Sequence, residues 1–331
     1  MSDTWNDTVE QMREYLDSMV ETGILCGYSC AWATKESRQL ACGGYQGVME
    51  SYAFRPVLPG MYYDLASLTK VVGTASRILQ LVEAGKLSLD TPVKDILERF
   101  AYPQITVGSL LLHNSGLAAE VAGKETLTRE NILDRVYETC PVQDTGSGFL
   151  YSDTGFILLG LIIQKLDEMS LEESFQKHVF GPLHMIHTSY RTDRAKEWYI
   201  PTEVRPDRGC VCGEVHDGKA YLLGESGSAG LFSALEDMTA FADAYLRRSE
   251  KLFTARMYER LCTENSFGRT YGWSCEYGPG TLYHTGFTGT SMLLDLNRDR
   301  AFVLLTNRVH PTRENPGFLE GRKILNGMFM G

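Results

Sequence analysis

Hydrophobic positions recur with different periods along the chain. Over residues 5–22, Val9, Met12, Leu16 and Met19 fall three or four residues apart, which places them on one face of an amphipathic opening helix. Residues 26–34 and 38–46 read as two strands around the polar turn Lys35-Glu36-Ser37. From Ser67 to about Gly85, the positions Leu68, Val71, Val72, Ala75, Ile78, Leu79, Leu81 and Val82 predict one long apolar helix closed by Gly85-Lys86. Residues 105–180 are mainly helical, in the pieces Ser109-Leu112, Ile132-Tyr137, Thr154-Leu166 and Leu171-Val179. After residue 265 the texture changes to short strands over 270–276, 281–285, 289–297 and 300–306. Phe318-Asn326 then forms a closing helix that Gly327 is placed to end.

Strands at both ends around a helical middle predict an α+β fold (α/β in some schemes). The terminal segments pair into one antiparallel sheet flanked by terminal helices, and the helical region is an inserted lobe. The expected division is one unit over residues 1–331, with 1–66 and about 200–331 in an α/β lobe and about 67–199 in the helical lobe. A site is expected in the cleft between them. Repeats, low-complexity tracts and linkers are absent from the sequence.

Composition narrows the function. Hydrophobic residues make up 43% of the 331 positions, enough for a large core and too many for a disordered chain. Lys+Arg number 32 against 42 Asp+Glu, a net charge of −10, and the longest basic runs are the pairs Arg247-Arg248 and Arg322-Lys323. Nucleic acid and anionic membranes need clustered positive charge, so neither is an expected partner. The acidic, polar start Met1-Ser2-Asp3-Thr4-Trp5-Asn6-Asp7 is unlike a secretory signal, and the longest apolar stretch, Phe156 to Ile163, is far too short to span a bilayer. A cytoplasmic protein is expected. Eight cysteines with no Cys-x-x-Cys pair read as reduced, mostly buried thiols.

Candidate chemistry starts at Ser67-Leu68-Thr69-Lys70. Residues three apart on a helix share a face, so the Ser67 hydroxyl and the Lys70 amine can meet. A buried lysine can serve a serine nucleophile as base or as neighbouring cation. Tyr151-Ser152-Asp153 follows the turn-rich 144–148 and precedes a helix; a tyrosine beside lysine charge can act as a base. His284-Thr285-Gly286 ends a short strand, and the next N–H, on Phe287, can point into a cleft as an oxyanion donor.

In this order the three boxes resemble those of the class C β-lactamase-related serine hydrolases, which include D-alanyl-D-alanine peptidases and esterases. Leu111-Leu112-His113-Asn114-Ser115-Gly116-Leu117, Val215-His216-Asp217, Gly227-Ser228-Ala229-Gly230-Leu231-Phe232-Ser233 and Leu305-Thr306-Asn307-Arg308 are similar too, so the resemblance covers about residues 25 to 325. It implies the β-lactamase/transpeptidase-like fold. It also implies Ser67 as nucleophile forming an acyl-enzyme, Lys70 and Tyr151 moving protons, and an oxyanion hole from the N–H groups of Ser67 and Phe287. Asp153, His284, Thr285 and Gly286 would meet substrate. No cofactor or metal is implied; the partner is a small-molecule ester, amide, peptide or β-lactam, and the oligomeric state stays open.

Two departures shape the expected activity. Asp153 stands where many relatives have asparagine; an ionised aspartate cannot donate and favours the ammonium form of Lys70, shifting the proton work to Tyr151. His284 stands where β-lactamases usually have lysine, and a neutral imidazole offers little field to a substrate carboxylate. Ester or amide hydrolysis is therefore expected ahead of efficient β-lactam hydrolysis. The alternatives are a β-lactamase or D-alanyl-D-alanine carboxypeptidase proper, and a non-catalytic binder or sensor on the same fold. The cluster His178, His184 and His187, the pair Cys210 and Cys212, and the glycines of 224–230 match no metal or phosphate motif. His216-Asp217 reads as a turn, and Arg308 and His310 either meet a substrate carboxylate or merely end a strand.

Overall fold

The structure, a computed structural model, describes residues 3–49, 52, 55–123 and 126–331. Both ends of the chain build one antiparallel sheet of seven strands in the order β2-β1-β11-β10-β9-β8-β7. These are β1 (Gly27–Thr34), β2 (Arg38–Gly44), β7 (Arg269–Thr270), β8 (Trp273–Ser274), β9 (Thr281–Thr285), β10 (Ser291–Asp295) and β11 (Arg300–Thr306). Two small ribbons pair β3 (Tyr63–Asp64) with β6 (Phe232–Ser233), and β4 (Val204–Arg205) with β5 (Gly209–Cys210).

The sheet separates two apolar layers, and the alternation of each strand decides which side chain enters which. Tyr28, Cys30 and Trp32 of β1, with Phe302 and Leu304 of β11, face α1 (Asp3–Glu21) and the C-terminal helix. All four predicted residues of α1, Val9, Met12, Leu16 and Met19, are buried there. Ala31 and Ala33, with Ala301, Val303 and Leu305, face the larger core. That core holds α2 (Ser76–Glu83), α3 (Val93–Ile96), α4 (Val107–Leu111), α5 (Ile132–Glu138), α6 (Asp153–Asp167) and α7 (Leu171–Phe175). Of the later helices, α8 (Gly218–Leu223) precedes the glycine-rich segment, α9 (Leu235–Leu246) covers the inner face of β1 and β11, and α10 (Ala255–Thr263) leads into β7.

The structure corrects several sequence expectations. The long helix from Ser67 is a 3-10 turn over Ala66–Leu68, a π-helical stretch over Lys70–Ala75 and only then α2. The wide turn is closed by the Ser76 hydroxyl donating to the Val71 carbonyl five residues back, at 2.8 Å. The strand expected over 270–276 is broken into β7 and β8 because Tyr271 and Gly272 both take positive φ, 28° and 96°. The thiols are less buried than expected: only Cys30 and Cys212 are fully buried, and Cys140 is exposed. Gly327 does not end the last helix, α11 (Pro316–Met330). Phe329, buried against Trp5 and Phe302, anchors the extra turn.

A Cβ on Gly327 would meet nothing within 4 Å, and a mid-helix glycine costs helix entropy. Gly327→Ala is therefore expected to stabilise the chain by roughly 0.5–1 kcal/mol in urea unfolding; a loss of stability would mean the helix stops there.

Candidate active site

Ser67 sits on a strained turn. Ala66, just before it, has φ 46°, a left-handed conformation that costs a non-glycine residue about 1–3 kcal/mol. The turn is held by the buried Asp64 carboxylate, which accepts from the Ala66 N–H at 2.8 Å and from the His216 N–H at 2.7 Å. The result lifts Ser67 out: it is partly exposed while its neighbours from Met61 to Lys70 are buried.

Lys70 has no exposed surface. Its ammonium has three N–H groups and three acceptors: Ser67 Oγ at 3.0 Å, the Ser228 carbonyl at 2.7 Å and Asp153 Oδ1 at 2.7 Å. The Ser228 carbonyl is in reach because Gly227 lets its segment lie against α6, where a Cβ would run into the Phe156 carbonyl and the Gly160 backbone. Burial acts to lower the Lys70 pKa, but the Asp153 carboxylate and the Tyr151 phenol outweigh it and hold the ammonium above the usual lysine value. For Asp153, burial acts upward, and the charges of Lys70 and Lys219 override it, keeping the carboxyl well below its ordinary range.

Helix α6 delivers Tyr151 and Asp153. Its N-cap, Ser152, accepts from the Gly155 N–H at 3.2 Å, and both flanking residues reach Lys70. The Lys70 ammonium lies 5.0 Å from the centre of the Tyr151 ring. The same ring stacks on His113 at 4.5 Å. His113 Nδ1 faces the Ser152 N–H at 3.1 Å, which makes Nδ1 the acceptor and puts the imidazole proton on Nε2.

Strand β9 supplies the opposite wall. Its neighbour β8 pairs with it only at Tyr283, which leaves the outer edge of His284 and Thr285 free of strand partners among the described residues. Leu282 enters the larger core and Tyr283 the opposite layer, so alternation sends His284 toward the helices. Its Nδ1 pairs with the Thr285 carbonyl at 3.0 Å as donor, and its buried Nε2 finds no partner among the described residues. Burial first, then the charges of Lys70 and Arg269, push its pKa well below the usual imidazole value. Gly286 is tightly required: a Cβ there would strike Thr290 Oγ1 and the Leu65 carbonyl. Phe287 is 44% exposed, its ring stacked on His216 at 5.5 Å with the Arg308 guanidinium 4.8 Å from its centre. The Phe287 N–H has no acceptor among the described residues.

Ser67, Tyr151, His284, Thr285 and Phe287 line one cavity of about 330 Å³. The structure brings together every residue singled out in the three boxes, with Lys70, Asp153 and Gly286 directly behind the lining. Arg269 and Lys219 escaped sequence reasoning, and His216 does more than the turn read there. Arg269 lines the same cavity, its guanidinium 4.4 Å from the centre of the Phe149 ring, without a carboxylate partner among the described residues. Lys219 pairs with Asp153 Oδ2 at 3.1 Å. His216 also holds Glu203 through Nε2 at 2.9 Å. The sequence signal available was Val215-His216-Asp217, part of the family resemblance, with His216-Asp217 otherwise read as a turn; Lys219 and Arg269 carried none. His310 is buried against the Thr202 carbonyl at 2.7 Å and lies outside the cavity lining. Among the described residues no group of three or more His, Cys, Asp or Glu side chains is arranged to hold a metal ion, and no helix is long and apolar enough to cross a membrane.

Two buried imidazoles with depressed pKa values have a consequence for stability. The pKa of His113, like that of His284, is pushed well below the usual value by burial, then by Lys70 and Arg269. Below pH about 6.5 the unfolded chain binds protons that these folded imidazoles refuse, so their contribution is lost as pH falls, by up to about 1.4 kcal/mol per unit and residue. Urea unfolding at about pH 7 and about pH 5.5 is expected to show this loss, reduced in His284→Gln.

Comparison with known proteins agrees with the geometry. A family model described as Beta-lactamase matches residues 12–320. The chain is 28% identical to an N-acetylmuramyl-L-alanine amidase of Bacillus subtilis (strain 168), over 95% of this chain and 86% of that one. It is 27% identical to a putative D-alanyl-D-alanine carboxypeptidase of Salmonella paratyphi B, over 77% and 71%. In structure it resembles EstCE1, a hydrolase with promiscuous acyltransferase activity, with a TM-score of 0.79 at 17% identity over 98% and 99% of the two chains; at that identity the likeness speaks for the fold. With a serine–lysine pair at a cavity wall and a family match across most of its length, the chain belongs to the β-lactamase family of serine hydrolases.

Proposed function

We propose that this protein is an acyl-transferring serine hydrolase of the class C type that works through a Ser67 acyl-enzyme on an ester, amide or D-amino-acid peptide. The observation that carries the reading is the Ser67 Oγ to Lys70 Nζ contact of 3.0 Å at the wall of the cavity. Lys70, held as an ammonium by Asp153, is already protonated and cannot take the serine proton. That leaves Tyr151, whose ring lies beside the Lys70 charge. As Ser67 Oγ bonds to the substrate carbonyl carbon, its proton passes to the oxygen of Tyr151, acting as a phenolate with the Lys70 ammonium as its counter-charge, and the carbonyl oxygen becomes an oxyanion facing the Ser67 and Phe287 N–H groups. The carbon–leaving-group bond then breaks as Tyr151 returns the proton to the leaving atom. Water repeats the sequence against the acyl-enzyme and frees Ser67.

Arg269 bears on substrate choice. The neutral His284 offers little attraction to a carboxylate, which favours plain esters and amides. Arg269 places a guanidinium on the same cavity, over the Phe149 ring and with no ion pair among the described residues, although Glu276 lines the cavity too; such a cation favours substrates whose acyl or leaving part ends in a carboxylate. The second reading, a D-alanyl-D-alanine carboxypeptidase, rests on that cation, and relatives so named support it.

Ser67→Ala is expected to abolish turnover of nitrophenyl butyrate, a chromogenic cephalosporin and a D-alanyl-D-alanine peptide alike, measured as kcat/KM. A variant that keeps its rate removes the acyl-enzyme reading. Arg269→Leu separates the substrate classes: KM for carboxylate-bearing substrates is expected to rise roughly tenfold or more, the weight of a charge-assisted hydrogen bond, while the neutral ester is unaffected. Equal effects on both classes would remove Arg269 from substrate recognition.

A further inference from the structure

A second buried lysine stands behind the first. Lys219 lies in the first turn of α8, whose N-cap Asp217 accepts from the Ala220 N–H at 2.8 Å. Its ammonium crosses to the start of α6 and meets Asp153 Oδ2 at 3.1 Å, while Asp153 Oδ1 meets Lys70 at 2.7 Å. Glu120 Oε2 at 3.0 Å and Asp217 Oδ2 at 3.6 Å complete its surroundings. Charges thus alternate in sign from Lys70 through Asp153 and Lys219 to Glu120 and Asp217. Lys219 is 9% exposed, and a lysine that deep needs partners to offset lost hydration.

The arrangement answers the problem that an aspartate poses beside Lys70. An ionised carboxylate served by one cation alone would turn the Lys70 ammonium toward both its oxygens and away from Ser67 and Ser228. With Lys219 holding Oδ2, only Oδ1 is left to Lys70, and the opposite charge behind the carboxylate weakens its pull. Lys219 thus offsets part of the Asp153 charge that Lys70 meets, while Glu120 and Asp217 share the Lys219 ammonium. The other charged and titratable groups around this chain are Tyr151, His113, His284 and Arg269 on the cavity side, the imidazoles held neutral by burial.

We propose that Lys219 is a positioning residue for acyl transfer: by occupying half of the Asp153 carboxylate it keeps one Lys70 N–H on Ser67 Oγ. The proposal rests on the Ser67 acyl-enzyme reading. It is independent of the natural substrate, because any reagent that reacts with the activated serine reports on it.

The test is the rate of Ser67 modification by an alkyl fluorophosphonate, followed by intact mass and by its pH profile. The chains compared are wild type, Lys219→Met, Lys219→Arg, Asp153→Asn and the Asp153→Asn/Lys219→Met double variant. Lys219→Met is expected to slow modification roughly tenfold, within the range of direct side-chain couplings. It should also move the acid limb of the profile to higher pH, because Asp153 loses one of two cations and is protonated more easily. Lys219→Arg restores most of the rate. In the Asp153→Asn background Lys219→Met changes the rate less than about twofold, since the carboxylate it serves is gone. Equal slowing in both backgrounds, or none in either, overturns the proposal. Circular dichroism checks each fold: a single variant that unfolds beside a double variant that folds and reacts like Asp153→Asn supports the proposal, and unfolding of both overturns it. A wild type whose Ser67 is not modified overturns the acyl-enzyme reading and this proposal with it. Normal modification with additive variants overturns this proposal alone.

Discussion

The ion pair between Lys70 and Asp153 is the constraint from which the rest of the site follows. Taking a lysine fully out of water costs several kcal/mol, and here it is offset by a carboxylate at 2.7 Å, a carbonyl at 2.7 Å and a hydroxyl at 3.0 Å. Each acceptor comes from a different part of the chain. The carboxylate is the first residue of α6, the carbonyl belongs to the segment between α8 and β6, and the hydroxyl sits on the turn before the π-helical stretch. A shift of any one would leave a buried charge underserved, so the ion pair and the packing of these three segments require each other.

The same interdependence reaches the oxyanion side. Asp64 ties the strained Ala66 turn to the His216 backbone, and the Thr288 hydroxyl donates to the Asp64 carbonyl at 2.7 Å. The loop after β9 is therefore anchored to the residues that raise Ser67. Phe287, although exposed, lies between His216 and the arginines 308 and 313, and Arg313 in turn forks onto Glu203 at 2.7 and 2.6 Å. In the proposed reaction these neighbours would hold the Phe287 N–H in place as the oxyanion forms, and such preorganisation is what makes a donor effective.

His284, Arg269 and Glu276 all line the cavity. His284 is buried and neutral, with its single N–H spent on the Thr285 carbonyl. The positive charge on the cavity wall comes instead from Arg269 in β7. Placing the cation on an arginine over an aromatic face keeps a planar double donor available without adding a second ammonium beside Lys70.

Residue spacing by itself determined much of this protein. The face of α1, strands β1, β2, β9 and β11 and helix α6 were legible because periodicity and turn chemistry are local properties; the three boxes with Ser67, Lys70, Tyr151, Asp153, His284, Thr285, Gly286 and Phe287 were legible through their order and its resemblance to a known family. The even apolar run after Ser67 hid the π-helical turn, since that pattern suits any helical winding, and Gly327 looked like a stop because the anchor that continues α11, Phe329 packing on Trp5 and Phe302, is distant in sequence. Only the tertiary structure decided that Lys219 backs Asp153, that Arg269 faces the cavity and that both Nε2 atoms of His113 and His284 are buried. The physical reason is range: hydrophobic period is set by neighbours a few residues apart, whereas the sign and placement of a buried charge depend on a group 66 positions away (219 − 153) that folding brings to 3.1 Å.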